Sequence, residues 1–479
     1  MRILVTFILI LIGSSLNAQI AFHKIYSQGS FDFGYGIDQL EDSSFIVTGS
    51  SGGFGSGSQA FLLKLDKFGD YEWSLGYGGM ESEEGKRVIY LKDIGYFIGG
   101  TTNSFGNGAY DMYLTKVELD GTQSWEYSFG GAAWDRMHDM ALTRDSGFLL
   151  VGENSSNPNE NQNGYVVRTD KDGNVLWEQT FGAGGDDVLR TIRKYNDSSF
   201  VIAGSYYNAD STFKKGVMYK IVDDGTILDT IYLGQYGEYG INDVEIMGGH
   251  IEAVGYRNNP DSPIKEHYAW EVDLTTHSIV SEWGVPQYGE IECITSYDND
   301  SRRYLTYNYG GPGTFEGGPD AAIGAFNQDI IYLGTAAQIS DNGLDQTSDA
   351  IRTSDGGAVV VGSTAGPGFG VITVFVTKIG PGEVYPTTSA PIVYDLVELV
   401  PIEANKDLNV YPNPFNSILN IDAEQEQLRL SIVSMTGQLL HQEEVYGNSE
   451  LDLSHLQTGA YLLVIESSKG KFQQRLVKY

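Results

Sequence analysis

Short apolar runs ending in a small residue recur along this chain, each bounded by Gly, Asp and Asn. They read FIVTGS (45–50), FIGGTT (97–102), FLLVGE (148–153), FVIAGS (200–205), IEAVGY (251–256), YLTYNY (304–309) and AVVVGS (358–363). The anchor residue near each end, Gly49, Gly100, Gly152, Gly204, Gly255, Asn308 and Gly362, returns about every 52 residues. Each unit carries three further runs: an earlier one such as RVIYL (87–91), a later one such as MYLTKVEL (112–119), and a last one such as QSWEYSF (123–129). Partial alternation of apolar and polar positions in runs of this length predicts β-strands, and the Gly, Asp and Asn joins predict antiparallel hairpins. Four short strands repeated seven times at this period is the pattern of a β-propeller blade, not of a helical or two-stranded solenoid unit.

The two ends of the array are complementary. The seventh unit has its third strand, VITVFVTKI (371–379), and then runs into GPGEVYPTTSAP without a fourth. A fourth strand without partners stands at the other end, AFHKIYSQGS (21–30), with Lys24 as far ahead of Asp38 as Trp73 is of Arg87 and Trp125 is of Asp139. The expected fold is therefore all-β: a seven-bladed β-propeller over residues 19–380, with four-stranded antiparallel blades and an N-terminal strand closing the last blade, so that no strand edge is left at a seam. Trp73, Trp125 and Trp177 recur at one position of the outer strand, where packing between neighbouring sheets is expected in preference to a ligand platform.

Composition and charge narrow the setting. The 60 Gly and 31 Tyr fit turn-rich β structure. Residues 1–18 place Arg2, an apolar run from Ile3 to Ile12, and then Ala18 in the order of a secretory signal peptide. That run is too short for an ordinary transmembrane helix, and no later stretch reaches 18 apolar residues, so no transmembrane segment is expected in the mature chain. The single cysteine, Cys293, rules out an internal disulfide and reads as a small buried hydrophobe. A net charge of −33 repels a phosphate backbone, which excludes nucleic acid as a partner and fits the solubility of an extracellular protein.

After a Pro-rich linker over 381–407 the composition changes. Residues 408–479 carry several apolar strands and Gly turns, the pattern of a small C-terminal β-sandwich. The opening Tyr411, Pro412, Asn413 and Pro414, the turn at Gly437, the L-x-x-G-x-Y segment with Gly459 and Tyr461, and the basic Lys478 stand in an order that resembles the C-terminal sorting domain of type IX secretion cargo in Bacteroidota. The resemblance implies export through the periplasm, recognition by the type IX translocon, and a secreted or cell-surface location. The propeller repeats are similar to those of large secreted Bacteroidota proteins, a similarity that implies no activity.

Candidate chemistry is sparse. Aligned through the anchors, the first strands carry one charged column: Asp38, Arg87, Asp139, Arg190, Asp243, Glu292 and Asp349. Around a common channel these would form a hydrated salt-bridge network or hold a cation. The network is the favoured reading, because no compact calcium loop occurs, and no cofactor is assigned. Gly49–Gly53 matches G-x-S-x-G but follows an antiparallel strand in a loop. The seven histidines show no paired metal spacing. Acidic pairs such as Glu83 with Glu84 and Asp186 with Asp187, near the crossings between units, read as solvated loop residues. Two function classes remain. One is a non-catalytic surface module that binds an extracellular glycan or protein through one face, favoured by the scarcity of catalytic-looking residues. The other is a secreted polysaccharide-active hydrolase or lyase with acids contributed by several blades.

Overall fold

The computed structural model describes residues 20–28, 31–54, 57–156, 162–182, 185–207, 213–261, 265–285, 289–297, 302–309, 320–327, 332–339, 345–365, 372–381, 392–395, 399–401, 408–423, 427–434, 439–457, 459–467 and 470–478. The expected signal peptide and Gly437 lie outside them. From Asp32 to Ile339, six antiparallel sheets of four strands follow one another in chain order, the first made of Asp32–Gln39, Phe45–Ser51, Gln59–Leu65 and Tyr71–Tyr77. A seventh holds Asp345–Arg352, Ala358–Thr364 and Thr373–Ile379. Its fourth strand is Phe22–Ser27, antiparallel to Thr373–Ile379, and Ile392–Asp395 adds to it in parallel.

The first strands of successive sheets touch one another. Asp32–Gln39 meets Glu83–Leu91 on one side and Asp345–Arg352 on the other. The architecture is all-β and of the propeller kind. Second strands such as Phe45–Ser51, Phe148–Asn154 and Ala358–Thr364 are buried along their whole length, which is why they read as continuous apolar runs. Their side chains fill the space between neighbouring sheets: Leu149 and Val151 of the third sheet pack with Phe200 and Ile202 of the fourth. The outer-strand tryptophans reach the same interfaces. The Trp73 ring lies 6.0 Å from that of Tyr96 in the next sheet, and Trp177 Nε1 donates to the Asp223 carbonyl at 3.0 Å.

One irregularity repeats in all seven sheets. The first strand bulges at Tyr35, Lys86, His138, Arg190, Asn242, Glu292 and Ser348, where two of its residues face one of the second strand. The anchor glycine stands at this bulge. A Cβ on Gly49 would lie 1.8 Å from the Phe33 carbonyl oxygen, and one on Gly152 1.9 Å from that of Arg136. In the six sheets that carry it, the anchor glycine thus answers to the bulge, which brings a neighbouring carbonyl where only hydrogen fits. The sixth sheet departs from the expected alignment. Tyr307 takes the anchor place opposite Ile291, and Asn308 lies one residue further on, opposite Glu290.

The crossings between sheets also correct an expectation. Glu83 and Asp187 are buried rather than solvated. Glu83 accepts from the Gly79 N–H at 2.8 Å and from Thr102 Oγ1 at 2.8 Å, and Asp135 accepts from the Gly131 N–H at 2.6 Å. These carboxylates satisfy half-buried backbone donors of the crossing.

In the C-terminal region, Leu408–Tyr411, Ile418–Ala423 and Ser449–Asp452 form one sheet. Gln427–Ser434, Leu439–Tyr446, Gly459–Ser467 and Gly470–Lys478 form another, extended by Leu399–Pro401. Leu419, Ile421, Leu430, Ile432, Leu463 and Ile465 are among the residues of their shared core.

Candidate binding site in the central channel

A bulge re-aims the side chains around it. A cavity of about 70 Å³ is lined by the seven bulge residues, by the residue after each bulge from the second sheet onward, and by Arg193. That volume holds a handful of water molecules. The single charged column expected from sequence is therefore distributed over different places. Arg87, Asp139, Asp243 and Asp349 follow their bulges, whereas Arg190 and Glu292 are bulge residues themselves. Asp38 stands two residues beyond the matching position, which is Gly36, and borders a second opening with Gln39 and Ile351–Gly356. The same two-residue slip affects the N-terminal strand. Phe22, opposite Lys378, takes the place that Trp73 holds opposite Lys64, so Lys24 is not its counterpart. Charge was an unsuitable marker of register because the bulge, not the charge, sets which residues face inward.

Below the bulge ring, three aspartates staple neighbouring sheets. Each accepts from the N–H of the residue after it, at 2.8 Å for Asp139 and Asp243 and 2.9 Å for Asp349. Each also accepts across the sheet boundary: Asp139 from Ile192 at 3.0 Å, Asp243 from Ile294 at 3.1 Å, and Asp349 from Ile37 at 3.1 Å. Two arginines join them into one chain of charges. Arg87 lies 2.8 Å from Asp349 and 3.8 Å from Asp139, and Arg193 lies 2.6 Å from Asp139 and 2.5 Å from Asp243. Asp38 staples the first two sheets by accepting from Gln39 and Tyr90 N–H groups, both at 2.9 Å.

Sequence reasoning missed Arg193. It lies three residues past Arg190, and no periodicity separates the two. Burial opposes the charge of Arg193, but Asp243 and Asp139 more than offset it and hold the guanidinium above its usual range. Burial also pushes Asp243 up, against Arg193 and the Ile294 N–H. With Arg193, Thr191 and two N–H groups all donating to it, the ionised form is the one this geometry suits.

The bulge ring is more exposed than the aspartates. Lys86 lies 2.7 Å from Glu84 and 3.6 Å from the Tyr35 ring centre, and His138 Nε2 is 3.2 Å from Glu153. Asn242 donates to Glu290 at 3.1 Å, and Lys265 reaches the same carboxylate at 2.8 Å. Glu292 accepts from Asn308 Nδ2 at 2.9 Å, and burial, reinforced by Glu290, pushes its carboxyl up to about 7. Burial lowers His138 and so favours its neutral ring. Cys293 is buried with its thiol 3.2 Å from the Ser348 carbonyl, and burial raises it well above the ordinary thiol range. The Arg190 side chain is exposed, borders the cavity and makes no hydrogen bond or ion pair with a described residue. Among the described residues, no three His, Cys, Asp or Glu side chains converge in a way that could hold a metal ion.

The sorting residues divide by burial. Tyr411, Pro412, Asn413 and Pro414 are exposed, whereas Tyr461 and Lys478 are buried and Gly459 is half-buried. Lys478 Nζ donates to the carbonyls of Leu453, Ser454 and Leu456 at 2.7, 3.2 and 2.8 Å, so it clasps a turn of the domain.

An alignment 208 positions long, covering 38% of the chain, is 23% identical to the regulatory protein FlaEY of Caulobacter vibrioides and spans 21% of that protein's length. Solved structures similar to the chain include the Dos1 propeller (10% identity, covering 79% of this chain and 98% of that one, TM-score 0.43). The Pan2 WD40 domain of Neurospora crassa is another (12% identity, 75% and 99% covered, TM-score 0.42). A protein of unknown function from Bacteroides caccae is a third (13% identity, 64% and 93% covered, TM-score 0.37). At these values the likenesses carry no argument about activity. The C-terminal match is of a different kind: residues 409–479 fit the family model of the secretion system C-terminal sorting domain, the type IX signal for export to the cell surface or the medium.

Proposed function

We propose that residues 19–380 form a closed seven-bladed propeller that acts as a non-catalytic binding module, exported from a Bacteroidota cell by a signal peptide and then the type IX translocon. Closure is supported by the Phe22–Ser27 strand on Thr373–Ile379 and by the contact of Asp345–Arg352 with Asp32–Gln39. The observation that carries the non-catalytic reading is the Asp349–Arg87–Asp139–Arg193–Asp243 chain, in which each acid already holds an arginine and two backbone donors. Acids so committed stabilise the ring and are not free to move protons for a substrate. Presented to arrays of extracellular glycans and proteins, the mature protein should retain a ligand without altering it. New reducing ends or unsaturated sugars in the supernatant would refute this.

A second reading rests on one pair. Glu290 has Lys265 at 2.8 Å and Asn242 at 3.1 Å, which favour its ionised form, while burial raises Glu292 two residues further along the strand, and a carboxylate near a carboxylic acid suits a base and an acid. It predicts turnover that E292Q abolishes.

A further inference from the structure

The aspartate–arginine chain is complete in itself, and the ring above it is not. We propose that the channel mouth binds the carboxylate of an acidic ligand, a uronate sugar or a small organic acid, through Arg190. This names the ligand class for the binding module argued above and rests on that reading.

Three observations support it. The chain as a whole is strongly acidic, with 63 Asp and Glu against 30 Lys and Arg. Yet Glu292 is the only carboxyl among the seven bulge residues that line the mouth. Second, the other cations around this mouth are already paired: Lys86 with Glu84 at 2.7 Å, Arg136 with Glu153 at 3.6 Å, and Lys265 with Glu290 at 2.8 Å. Arg190 faces the cavity with no such partner among the described residues. Its charge acts on Glu153, Glu290 and Glu292 from a distance, and a guanidinium without a direct contact partner can hold a planar carboxylate through two parallel N–H donors. Third, the cavity of about 70 Å³ admits a carboxylate head while leaving the body of the ligand outside. Two arginines against three aspartates leave the floor net negative, which keeps an anion at the level of Arg190. Glu292 is pushed up to about 7 by burial, so the one acid of the ring is partly neutral near pH 7 and opposes a bound carboxylate less.

The test is isothermal titration of the full mature protein at low ionic strength with sodium acetate, glucuronate, oligogalacturonate and sulfate, using galactose as the uncharged control. Saturable one-to-one binding of at least one carboxylate is expected, weakened at least tenfold in R190Q and in R190K, with melting temperatures unchanged. Acetate binding as well as glucuronate would identify a free acid as sufficient, and a preference for the uronates would place the carboxylate on a carbohydrate. No binding of any carboxylate, equal affinity in R190Q, or a preference for sulfate would overturn the Arg190 proposal and leave the binding-module reading standing. Depolymerised oligogalacturonate would instead overturn the non-catalytic reading.

Discussion

Asp349 Oδ2 accepts a hydrogen bond from the Ile37 N–H at 3.1 Å, and the same oxygen lies 2.8 Å from Arg87. One carboxylate oxygen therefore joins the seventh, first and second sheets. D349N should cost about 3 kcal/mol in chemical denaturation, because it weakens an N–H acceptor and leaves a buried guanidinium undercompensated. A loss below about 0.5 kcal/mol would show that the staple does not hold the array.

The two arginines three residues apart should behave oppositely. R193Q removes the partner of Asp139 and Asp243 and should destabilise by about 2–4 kcal/mol, whereas R190Q should stay within about 0.5 kcal/mol of the native protein. Equal effects in thermal melts would contradict the division between a structural Arg193 and an Arg190 without a direct partner.

The anchor glycine gives a steric test. G152A places a Cβ 1.9 Å from the Arg136 carbonyl oxygen and should cost about 2–4 kcal/mol. G248A meets nothing within 4 Å and pays only for a φ of +54°, so about 1 kcal/mol is expected. If G152A proved the milder of the two, the bulge would not be what selects glycine.

Glu292 gives the pH dependence a sign. Its folded value of about 7 lies above the ordinary 4.5, chiefly through burial, so the folded state holds a proton that the unfolded chain has lost between those values. Its contribution is fully present below about pH 4.5 and is lost as the pH rises towards 7. Glu290, Arg190 and Lys265 face it, and Glu290, held low, acts only at more acid pH. E292Q should flatten the stability profile between pH 4.5 and 7 and raise stability at pH 8 relative to the native chain. An unchanged slope in urea titrations across that window would rule out Glu292 as its source.

Residues 408–479 should act as a transferable signal. Behind a signal peptide and a fluorescent reporter, they should deliver the reporter to the surface or medium of a type IX-competent host. K478A, which removes the clasp on the carbonyls of Leu453, Ser454 and Leu456, should impair delivery by loosening the domain. Reporter retained in the periplasm by the native signal would refute the assignment.

The apolar runs and their glycines made the strand content, the unit length and the complementary ends legible, because burial between sheets demands continuous apolar strands whatever the neighbours are. The sorting domain was legible for a similar reason: its markers are local, such as Tyr411–Pro414 beside the core residue Phe415. The register of the channel was not legible. A β-bulge adds one residue to a strand without altering its composition, so nothing in the chain distinguishes Gly36 from Asp38 as the position that matches Arg87, or shows that Arg193 lines the channel together with Arg190. Only the packed sheets decide this. In six of the seven sheets a first-strand carbonyl beside the bulge meets the anchor glycine, and the acid of one sheet finds its donors on the next, in pairs as distant in sequence as Asp349 and Ile37.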